Sequence, residues 1–348
     1  MSKRAKVLVI ATSRKTRGGI TAVIKAHEQG QQWKDFECYW IQTHRDGSTL
    51  KKMVYLSQAI INYVIRISHY DIVHIHFSNG NSLIRKLIFA RIAHHRQKKI
   101  LIHFHAYNPN KTIHGENKKA YRELFEMADK IIVLSNWWKE EVTKAFPNVA
   151  DRVCVLYNPC ENIDLKKSIK AQNKILYAGT VNQRKGYADL IRAFAKIASK
   201  YPEWSLSIAG NGEIEEGKQL ATSLGISSQV EFLGWVKDDA KQCAFQEASI
   251  FCLPSYAEGF PMAVLDAWAY GLPVITTPVG GIPDIAKDGD NMLLFNPGDI
   301  NTLATKLDTL ISDQTLRKHI ADESIKLAHG PFSINSINSQ LADIYHSL

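Results

Sequence analysis

Short apolar runs alternate with longer amphipathic stretches along this 348-residue chain. Runs rich in Val, Ile and Leu, separated by segments of helical periodicity, are typical of a parallel sheet with helices on both faces. A first series of six runs ends near Pro159, and the pattern then restarts with a second series of six. We predict twelve strands, in KVLVIAT, FECYWIQT, DIVHIHF, KILIHFHA, KIIVLS, RVCVLYN, KILYAGT, SLSIAG, QVEFLG, SIFCLPS, PVITTP and NMLLFNP.

The restart of the pattern divides the chain into two α/β domains. The polar stretch Glu161 to Asn173 lies between the two series and is the best linker candidate. We therefore predict Rossmann-like, doubly wound domains over residues 1–165 and 166–333. Residues 334–348 form an amphipathic segment, predicted to be a helix that crosses back to the first domain. Open α/β sheets bind ligands beyond the carboxyl ends of their strands, so two facing sheets would enclose a cleft.

Composition excludes a disordered chain and favours a soluble cytoplasmic protein. The chain is 45% hydrophobic and 22% charged, which is enough for two domain cores. The apolar run Val7 to Ala11 is too short for a signal peptide, and no run approaches the ~20 apolar residues of a membrane span. The five cysteines show neither C-x-x-C pairs nor zinc-finger spacing, which fits a reducing compartment.

The net charge of +9 suits an acidic substrate, a membrane surface or nucleic acid, and alone does not choose among them. One segment, Arg85 to Lys99, carries six basic residues and no acid, with apolar residues at roughly helical spacing. It could contact an anionic membrane. The alternative is a helix whose apolar side packs on its own sheet.

The segment from Pro254 to Asp284 carries the most chemistry. Glu258 lies in a short loop after a predicted strand, and Pro261 is well placed as the first residue of a helix. The N–H groups near Gly259 can bind phosphate or hydroxyl oxygens, and the helix dipole favours an ionised Glu258. Asp266 follows roughly 8 Å further along the helix axis. Two carboxylates at this spacing can hold different parts of one long ligand.

This segment resembles the signature of the retaining GT-B glycosyltransferases of the large family four, a Glu followed after seven residues by a second Glu. Here the two places hold Glu258 and Asp266. The resemblance assigns donor-sugar hydroxyls to the first carboxylate and the nucleotide ribose to the second, which is one methylene shorter than the family's Glu. The rest of the signature matches at Gly259, Phe260, Pro261, Leu265, Ala267, Gly271, Pro273 and the Gly280-Gly281 turn. Gly259, Phe260, Pro261 and Leu265 are predicted to bind the donor with Asp266.

Two adjacent cations, Arg184 and Lys185, lie in the loop after the first strand of the second series. They could neutralise a departing pyrophosphate as a glycosidic bond breaks, so that no metal ion is needed. The family usually has a basic residue directly after the glycine, where this chain has Thr180, and a later Lys-Gly pair, which Lys185-Gly186 matches. We predict that Arg184 supplies the missing charge.

Glycines follow other strands. Gly18 and Gly19 open the first helix, where their backbone permits close approach of a ligand, and they resemble the family's glycine pair. Around Gly210 and Val236 the backbone is predicted to hold the nucleotide base. Neither glycine cluster has the G-x-G-x-x-G form, so a nicotinamide enzyme is disfavoured.

Histidines alternate along two neighbouring predicted strands, as His74 and His76 and as His103 and His105. Alternation places each pair on one face of its strand, so a metal site is geometrically conceivable. Buried neutral histidines are the alternative, and we favour them because no carboxylate ligand is obvious nearby. His105 falls where the family has a histidine near the donor sugar, and the resemblance makes it a catalytic candidate.

The resemblance extends from Gly18 through Phe232–Trp235 to the turn at Asn296–Asp299 and implies a fold, a reaction and partners. The fold is GT-B, and the reaction transfers a sugar from a UDP- or GDP-type donor to a glycan or lipid-linked acceptor with retention. No metal or other cofactor is expected, and cell-surface polysaccharide synthesis at the inner face of the membrane is implied. The Asp288-Gly289-Asp290 run has the D-x-D form of metal-dependent transferases, but a GT-B site does not use that motif.

Three alternatives stay open at this point. A nucleotide-sugar epimerase of similar fold would bind the same donor but needs acid/base groups acting on the sugar ring. A basic α/β protein could instead bind nucleic acid or a partner surface, which calls for basic residues on one face with exposed aromatics; we predict no nucleic-acid partner. A transferase that has lost donor affinity through Thr180 and Asp266 is the third.

Overall fold

The computed structural model describes residues 5–16, 18–163 and 172–348. The chain forms two compact units. Unit 1 comprises Met1–Pro159 and Ile334–Leu348, and unit 2 comprises Cys160–Ser333. The predicted domain boundary after residue 165, and most of the predicted linker, lie outside the described residues.

Unit 1 is built on a six-stranded sheet in which all neighbouring pairs are parallel, in the order β2-β1-β3-β4-β5-β6. The strands are β1 (Val7–Ala11), β2 (Tyr39–Gln42), β3 (Ile72–Phe77), β4 (Lys99–Phe104), β5 (Lys130–Val133) and β6 (Val153–Val155). Every residue of β1 and β3 is buried. Continuous apolar strands are expected where helices cover both faces of a parallel sheet.

Within residues 5–16, 18–159 and 334–348, unit 1 has seven α-helices, numbered in chain order. They are α1 (Gly19–Glu28), α2 (Gln31–Asp35), α3 (Thr49–Arg66), α4 (Gly80–His95), α5 (Lys118–Glu126), α6 (Asn136–Ala145) and α13 (Ile334–His346). The last of these packs into the core on one side of the sheet through Ile337, Leu341 and Tyr345. Its Asn338 side chain also shares a 2.7 Å hydrogen bond with the His27 ring of α1.

Unit 2 repeats the plan with a parallel six-stranded sheet in the order β12-β11-β10-β7-β8-β9. Its strands are β7 (Lys174–Ala178), β8 (Ser205–Ala209), β9 (Val230–Gly234), β10 (Ile250–Leu253), β11 (Val274–Thr276) and β12 (Leu293–Leu294). Its helices are α7 (Tyr187–Ala195), α8 (Ile214–Ser223), α9 (Asp238–Glu247), α10 (Met262–Ala269), α11 (Ile300–Ser312) and α12 (Gln314–His329). Each of the twelve predicted runs therefore contains a strand.

The basic segment Arg85 to Lys99 differs from the membrane-binding helix considered above. It is the end of α4 followed by a turn and the first residue of β4. Leu87 and Phe89 lie in the core, and Lys86 is 1% exposed, its ammonium donating to the Thr43 hydroxyl at 2.5 Å. The prediction that this segment contacts a membrane is therefore wrong for its apolar side chains, because they pack on the sheet of unit 1.

Across residues 5–16, 18–163 and 172–348, none of the helices has both the length and the apolar character required to span a bilayer. All five cysteines are free thiols.

Candidate functional site

Two loops of unit 2 are held side by side because they follow hydrogen-bonded neighbouring strands, β7 and β10. The Tyr256 N–H donates to the Arg184 carbonyl at 2.8 Å. Gly186, at the start of α7, has a left-handed φ of 71°, and a Cβ built there would lie 2.0 Å from the Pro254 carbonyl oxygen. Only glycine permits this close approach, so the Lys-Gly pair fixes the distance between the loops.

These loops bring Glu258, Lys185 and Arg184 together. The Lys185 ammonium hydrogen-bonds to Glu258 Oε1, and an Arg184 nitrogen lies 3.7 Å from Glu258 Oε2. The Ser255 hydroxyl donates to Glu258 Oε1 at 2.6 Å. The Glu258 side chain is 9% exposed and that of Lys185 is 13% exposed. The cluster is thus largely withdrawn from water, where each charge interacts more strongly than on an open surface.

Arg184 also binds the backbone of the loop that carries Glu258. Its guanidinium donates to the Ala257 carbonyl at 2.6 Å. Within the Arg184 loop, the Asn182 side chain accepts from the Lys185 N–H at 3.1 Å. Ser255 and Asn182 were not predicted as site residues from the sequence. The sequence signal that could have identified them is a hydroxyl or amide side chain close to the charged residues of these loops.

The loop that carries Glu258 is braced by the predicted glycine turn. The Gly281 N–H donates to the Gly259 carbonyl at 2.8 Å. Gly280 has a φ of 61°, and a Cβ there would lie 2.4 Å from the carbonyl oxygens of Glu258 and Gly259. The turn therefore shapes the backbone around the carboxylate, and its left-handed residue, Gly280, has to be a glycine.

Three predicted details of this segment need correction. Helix α10 begins at Met262, with Pro261 in extended conformation before it, so Pro261 is not the first helical residue. The Leu265 side chain has no exposed surface, because it lies on the buried face of α10. Phe260 is 4% exposed and stacks on Phe332 with ring centroids 5.6 Å apart. The predicted ligand contact is therefore wrong for the Leu265 side chain, and the Phe260 ring has a packing role.

Asp266 has a cation partner that the sequence analysis missed. The Lys241 ammonium, on α9, donates to Asp266 at 2.9 Å and to Glu161 at 3.0 Å. Burial raises the pKa of the Asp266 carboxyl, and Lys241 opposes that rise. Burial also acts to lower the pKa of Lys241, but Asp266 and Glu161 outweigh it and leave that pKa raised. The Lys241 ammonium therefore stays protonated at neutral pH and faces the Asp266 carboxyl.

Gly210 and Val236 follow the neighbouring strands β8 and β9. The Gly210 N–H donates to the Gly234 carbonyl at 2.7 Å. A Cβ at Gly210 would lie 1.7 Å from the Gly179 carbonyl oxygen, so the ends of β7, β8 and β9 approach each other closely only because glycine is present. Binding of the nucleotide base by the backbone around Gly210 and Val236 stays a prediction.

The candidate residues of unit 1 are arranged around the ends of β1 and β4. Gly18 precedes α1 with a φ of 126°, and a Cβ there would meet nothing within 4 Å. Gly19 is the first residue of α1. His105 follows β4, its N–H donating to the Phe77 carbonyl at 2.8 Å, and its ring is half-buried. Its Nε2 shares a 3.0 Å hydrogen bond with Nδ1 of His76.

His76 belongs to a stack of imidazoles in the core of unit 1. The rings of His74 and His76 are 4.2 Å apart between centroids, as are those of His103 and His105, and His27 lies 6.1 Å from His103. Burial lowers the pKa of all five, to about 4 for His27 and about 3 for His105. The rings are therefore neutral at pH 7, as the sequence analysis favoured.

In the described part of the chain, His74, His76 and His103 form the group of side chains whose geometry could hold a metal ion, with ligand atoms within 4.8 Å of one another. Neutral imidazoles suit zinc, but the set lacks a carboxylate. The expectation that the protein uses no metal stays a prediction. The Asp288-Gly289-Asp290 run has local partners instead, since Asp288 binds Lys306 and Asp290 lies 2.9 Å from His319.

Two family models match nearly the whole chain. Glycosyltransferase Family 4 matches residues 8–161, and Glycosyl transferases group 1 matches residues 161–327. The chain belongs to this glycosyltransferase family, and its two parallel six-stranded sheets are those of the GT-B fold.

Individual relatives agree with this assignment. An uncharacterized glycosyltransferase of Methanocaldococcus jannaschii is 27% identical over 305 residues, 81% of this chain and 76% of the relative. The lipopolysaccharide core biosynthesis glycosyltransferase LpsE of Rhizobium meliloti is 31% identical over 164 residues, 47% of this chain and 46% of the relative. The crystal structure of Anabaena HepE with UDP-glucose has a TM-score of 0.78 at 20% identity and covers 99% of this chain and 100% of that one.

Proposed function

We propose that this glycosyltransferase moves a hexose from a nucleoside diphosphate donor to a glycan or lipid-linked acceptor, with retention and without a metal ion. The observation that carries the proposal is the convergence of Arg184, Lys185 and Glu258 at the carboxyl edge of one sheet. Two cations and a carboxylate, of which Lys185 and Glu258 are largely withdrawn from water, form a site suited to a ligand that carries both hydroxyls and phosphates.

The role of each group follows from its charge. Glu258 accepts hydrogen bonds from sugar hydroxyls, while Lys185 and Arg184 take up the charge that the pyrophosphate gains as the glycosidic bond breaks. The pairing between Lys185 and Glu258 keeps both groups in place before the donor binds. Because the cations belong to the protein, the leaving group is neutralised without a divalent ion.

Retention follows in this proposal from reaction on one face of the sugar, with the leaving phosphate helping to deprotonate the acceptor. His105, in unit 1, is proposed to act on the donor sugar. Because burial lowers its pKa to about 3, the ring is neutral at pH 7 and serves as a hydrogen-bond partner rather than as a cation.

The donor is proposed to be of the UDP or GDP type. HepE binds UDP and UDP-glucose, so uridine nucleotides are the first to test. In this proposal Asp266 holds the ribose in exchange for part of its contact with Lys241. LpsE acts in lipopolysaccharide core biosynthesis, and we extend this to a role for our chain in cell-surface polysaccharide synthesis at the inner membrane face.

The test is a donor screen followed by analysis of the product. Thermal shift with nucleoside diphosphates identifies the base, and the matching nucleotide sugar is then incubated with acceptors in the presence of chelator. We expect full turnover with chelator and a product that keeps the donor's anomeric configuration, read by NMR. Loss of activity with chelator would reject the metal-free reaction, and an inverted product would reject retention.

Two of the three alternatives from the sequence, the epimerase and the nucleic-acid or partner-binding protein, are not favoured by the family match. An epimerase would convert the donor alone into its epimer, whereas a transferase releases free nucleotide only slowly without acceptor. The same incubation without acceptor therefore separates them. A nucleic-acid role would appear as salt-sensitive binding to a polyanion, which we do not expect to compete with the donor.

A further inference from the structure

Helix α3 of unit 1 has an apolar face that is exposed to solvent. Ala59 and Tyr63 are buried against the sheet, with Leu56 and Ile60 packed beside them. The opposite side of the helix presents large apolar side chains that are 43% to 72% exposed: Leu50, Met53, Val54, Ile61, Val64 and Ile65. We define these six residues as the α3 face.

The six residues form one continuous stripe. At 100° per residue their directions fall within an arc of roughly 120°, with Ser57 inside it, and the stripe runs for about 23 Å along the helix. An exposed apolar surface of this length on a single helix is unusual for a protein surface and marks an interaction site. Ile84, on the adjoining helix α4, is also 51% exposed.

The charge around the stripe identifies its partner. The 18 residues of α3 include Lys51, Lys52 and Arg66 and no acidic residue. Both lysines are exposed, and Lys51 lies beside the stripe on the helix circumference. Unit 1 as a whole has 26 Lys and Arg against 13 Asp and Glu, a net charge of +13.

From these observations we propose that unit 1 docks on an anionic lipid membrane through the α3 face. The helix lies in the plane of the surface, its apolar side chains enter the boundary between headgroups and acyl chains, and Lys51, beside the stripe, contacts lipid phosphates. A second copy of the chain fits less well, because two units of +13 would be brought together with no acid on α3 to pair with their lysines.

This inference goes beyond the proposed function and is tested without donor or acceptor. The full chain is mixed with vesicles of phosphatidylcholine containing about 30% phosphatidylglycerol, and flotation measures the bound fraction. We expect binding that weakens as salt is added and that is much weaker on pure phosphatidylcholine. An absence of flotation with the anionic vesicles would overturn the proposal whatever the enzyme's activity.

The deciding variant is Val54→Gln/Ile61→Gln, which changes only exposed side chains. We expect its partition onto anionic vesicles to fall by about tenfold or more, while circular dichroism and donor binding are unchanged. Lys51→Glu should also lower partition, because a cation beside the stripe is replaced by an anion. The matched control is Leu224→Gln, an apolar residue of unit 2 that is 40% exposed, and it should bind like the parent.

Two results would contradict the proposal after binding is seen. The first is unchanged partition of both α3 variants. The second is a self-association of the parent chain, measured by sedimentation velocity without lipid, that Val54→Gln/Ile61→Gln abolishes. That result would assign the α3 face to a second copy.

Discussion

Both units are built on a parallel six-stranded sheet, but the charged and polar side chains that they carry differ. Unit 2 pairs acidic with basic side chains, Glu258 with Lys185 and Asp266 with Lys241, and its net charge is −4, from 17 basic and 21 acidic residues. Unit 1 has the net charge of +13, yet a stack of uncharged imidazoles lies in its core. On its surface, Lys51 lies beside the exposed apolar face of α3.

This difference shows how each unit is suited to a partner. Paired charges in unit 2 are exchangeable, because a donor with phosphates and hydroxyls can replace the partner of each group. The neutral imidazoles of unit 1 carry no such charge, and its surface is suited to a lipid. The predictions below test this contrast in order of expected effect.

The largest effect is expected from Glu258→Gln, which keeps the side-chain volume and removes the charge. Loss of the carboxylate that faces Lys185 and Arg184 should lower kcat by about 10²–10³, measured by nucleotide release with acceptor. Glu231→Gln, at an exposed position in unit 2, is the control and should keep full activity. An active Glu258→Gln enzyme would remove this carboxylate from the donor site.

The histidines predict that acid destabilises unit 1 selectively. An unfolded histidine has a pKa of about 6.5, whereas burial lowers the pKa of His27 to about 4 and that of His105 to about 3. Protons therefore bind preferentially to the unfolded chain below pH 6.5. Stability is complete above that pH and falls towards the folded pKa, by about 1.4 kcal/mol per pH unit for each such histidine.

Hydrogen exchange resolved by peptide at pH 6.5 and 5.5 measures this loss. The free energy of opening around His74, His76 and Tyr345 should fall by about 2 kcal/mol, because at least two histidines contribute and each loses about 1 kcal/mol in the first pH unit below the unfolded pKa. Unit 2 should change little, since its two histidines, His319 and His329, are exposed. His27→Gln should reduce the loss by about 1 kcal/mol, and an equal loss in both units would contradict the assignment.

Lys185→Ala should weaken binding of the nucleoside diphosphate by about 10–100-fold, because a cation facing the pyrophosphate is lost. Isothermal titration calorimetry provides the affinity. Arg184 remains near Glu258 in this variant, so that carboxylate keeps one cation. Lys218→Ala, whose ammonium pairs with Glu215 on the helix surface, serves as the control. Unchanged affinity in Lys185→Ala would refute its role.

The smallest effect is expected for Asp266→Asn. If Asp266 holds the ribose, affinity for the nucleoside diphosphate should fall by about tenfold, as expected when one charged hydrogen bond is lost. Affinity for inorganic pyrophosphate should stay the same, because that ligand has no ribose. An equal loss of affinity for the nucleoside diphosphate and for pyrophosphate would show that Asp266 acts by balancing the charge of Lys241.

Local patterns predicted most of the fold and the central cluster. The twelve strands follow from short apolar runs, and the loops with Lys185-Gly186 and Glu258 follow from where those runs end. The pairing of Lys241 with Asp266 joins two helices through residues that are 25 positions apart in the chain. Helical periodicity does not reveal which polar side chain points towards another element.

The errors have the same origin. Lys86 appeared as one cation among six in a basic segment, but its contact with Thr43 lies 43 residues away in the chain. Leu265 belongs to a strong family signature, yet its position on the inner side of α10 decides that its side chain packs in the core. Similarly, the sequence pattern alone does not show which apolar side chains of α3 are exposed, because that depends on which face of the helix packs against the sheet.

Helix α13 has a consequence for how the protein is made. The 174 residues of unit 2 are synthesised between the two parts of unit 1, which takes roughly 10–35 s at 5–20 residues per second. During that time the apolar surface that later receives Ile337, Leu341 and Tyr345 has no cover, whereas unit 2 is continuous in the sequence. The unit that emerges second should therefore be the first to reach its native structure, and the nascent first unit needs protection from aggregation until α13 has been synthesised.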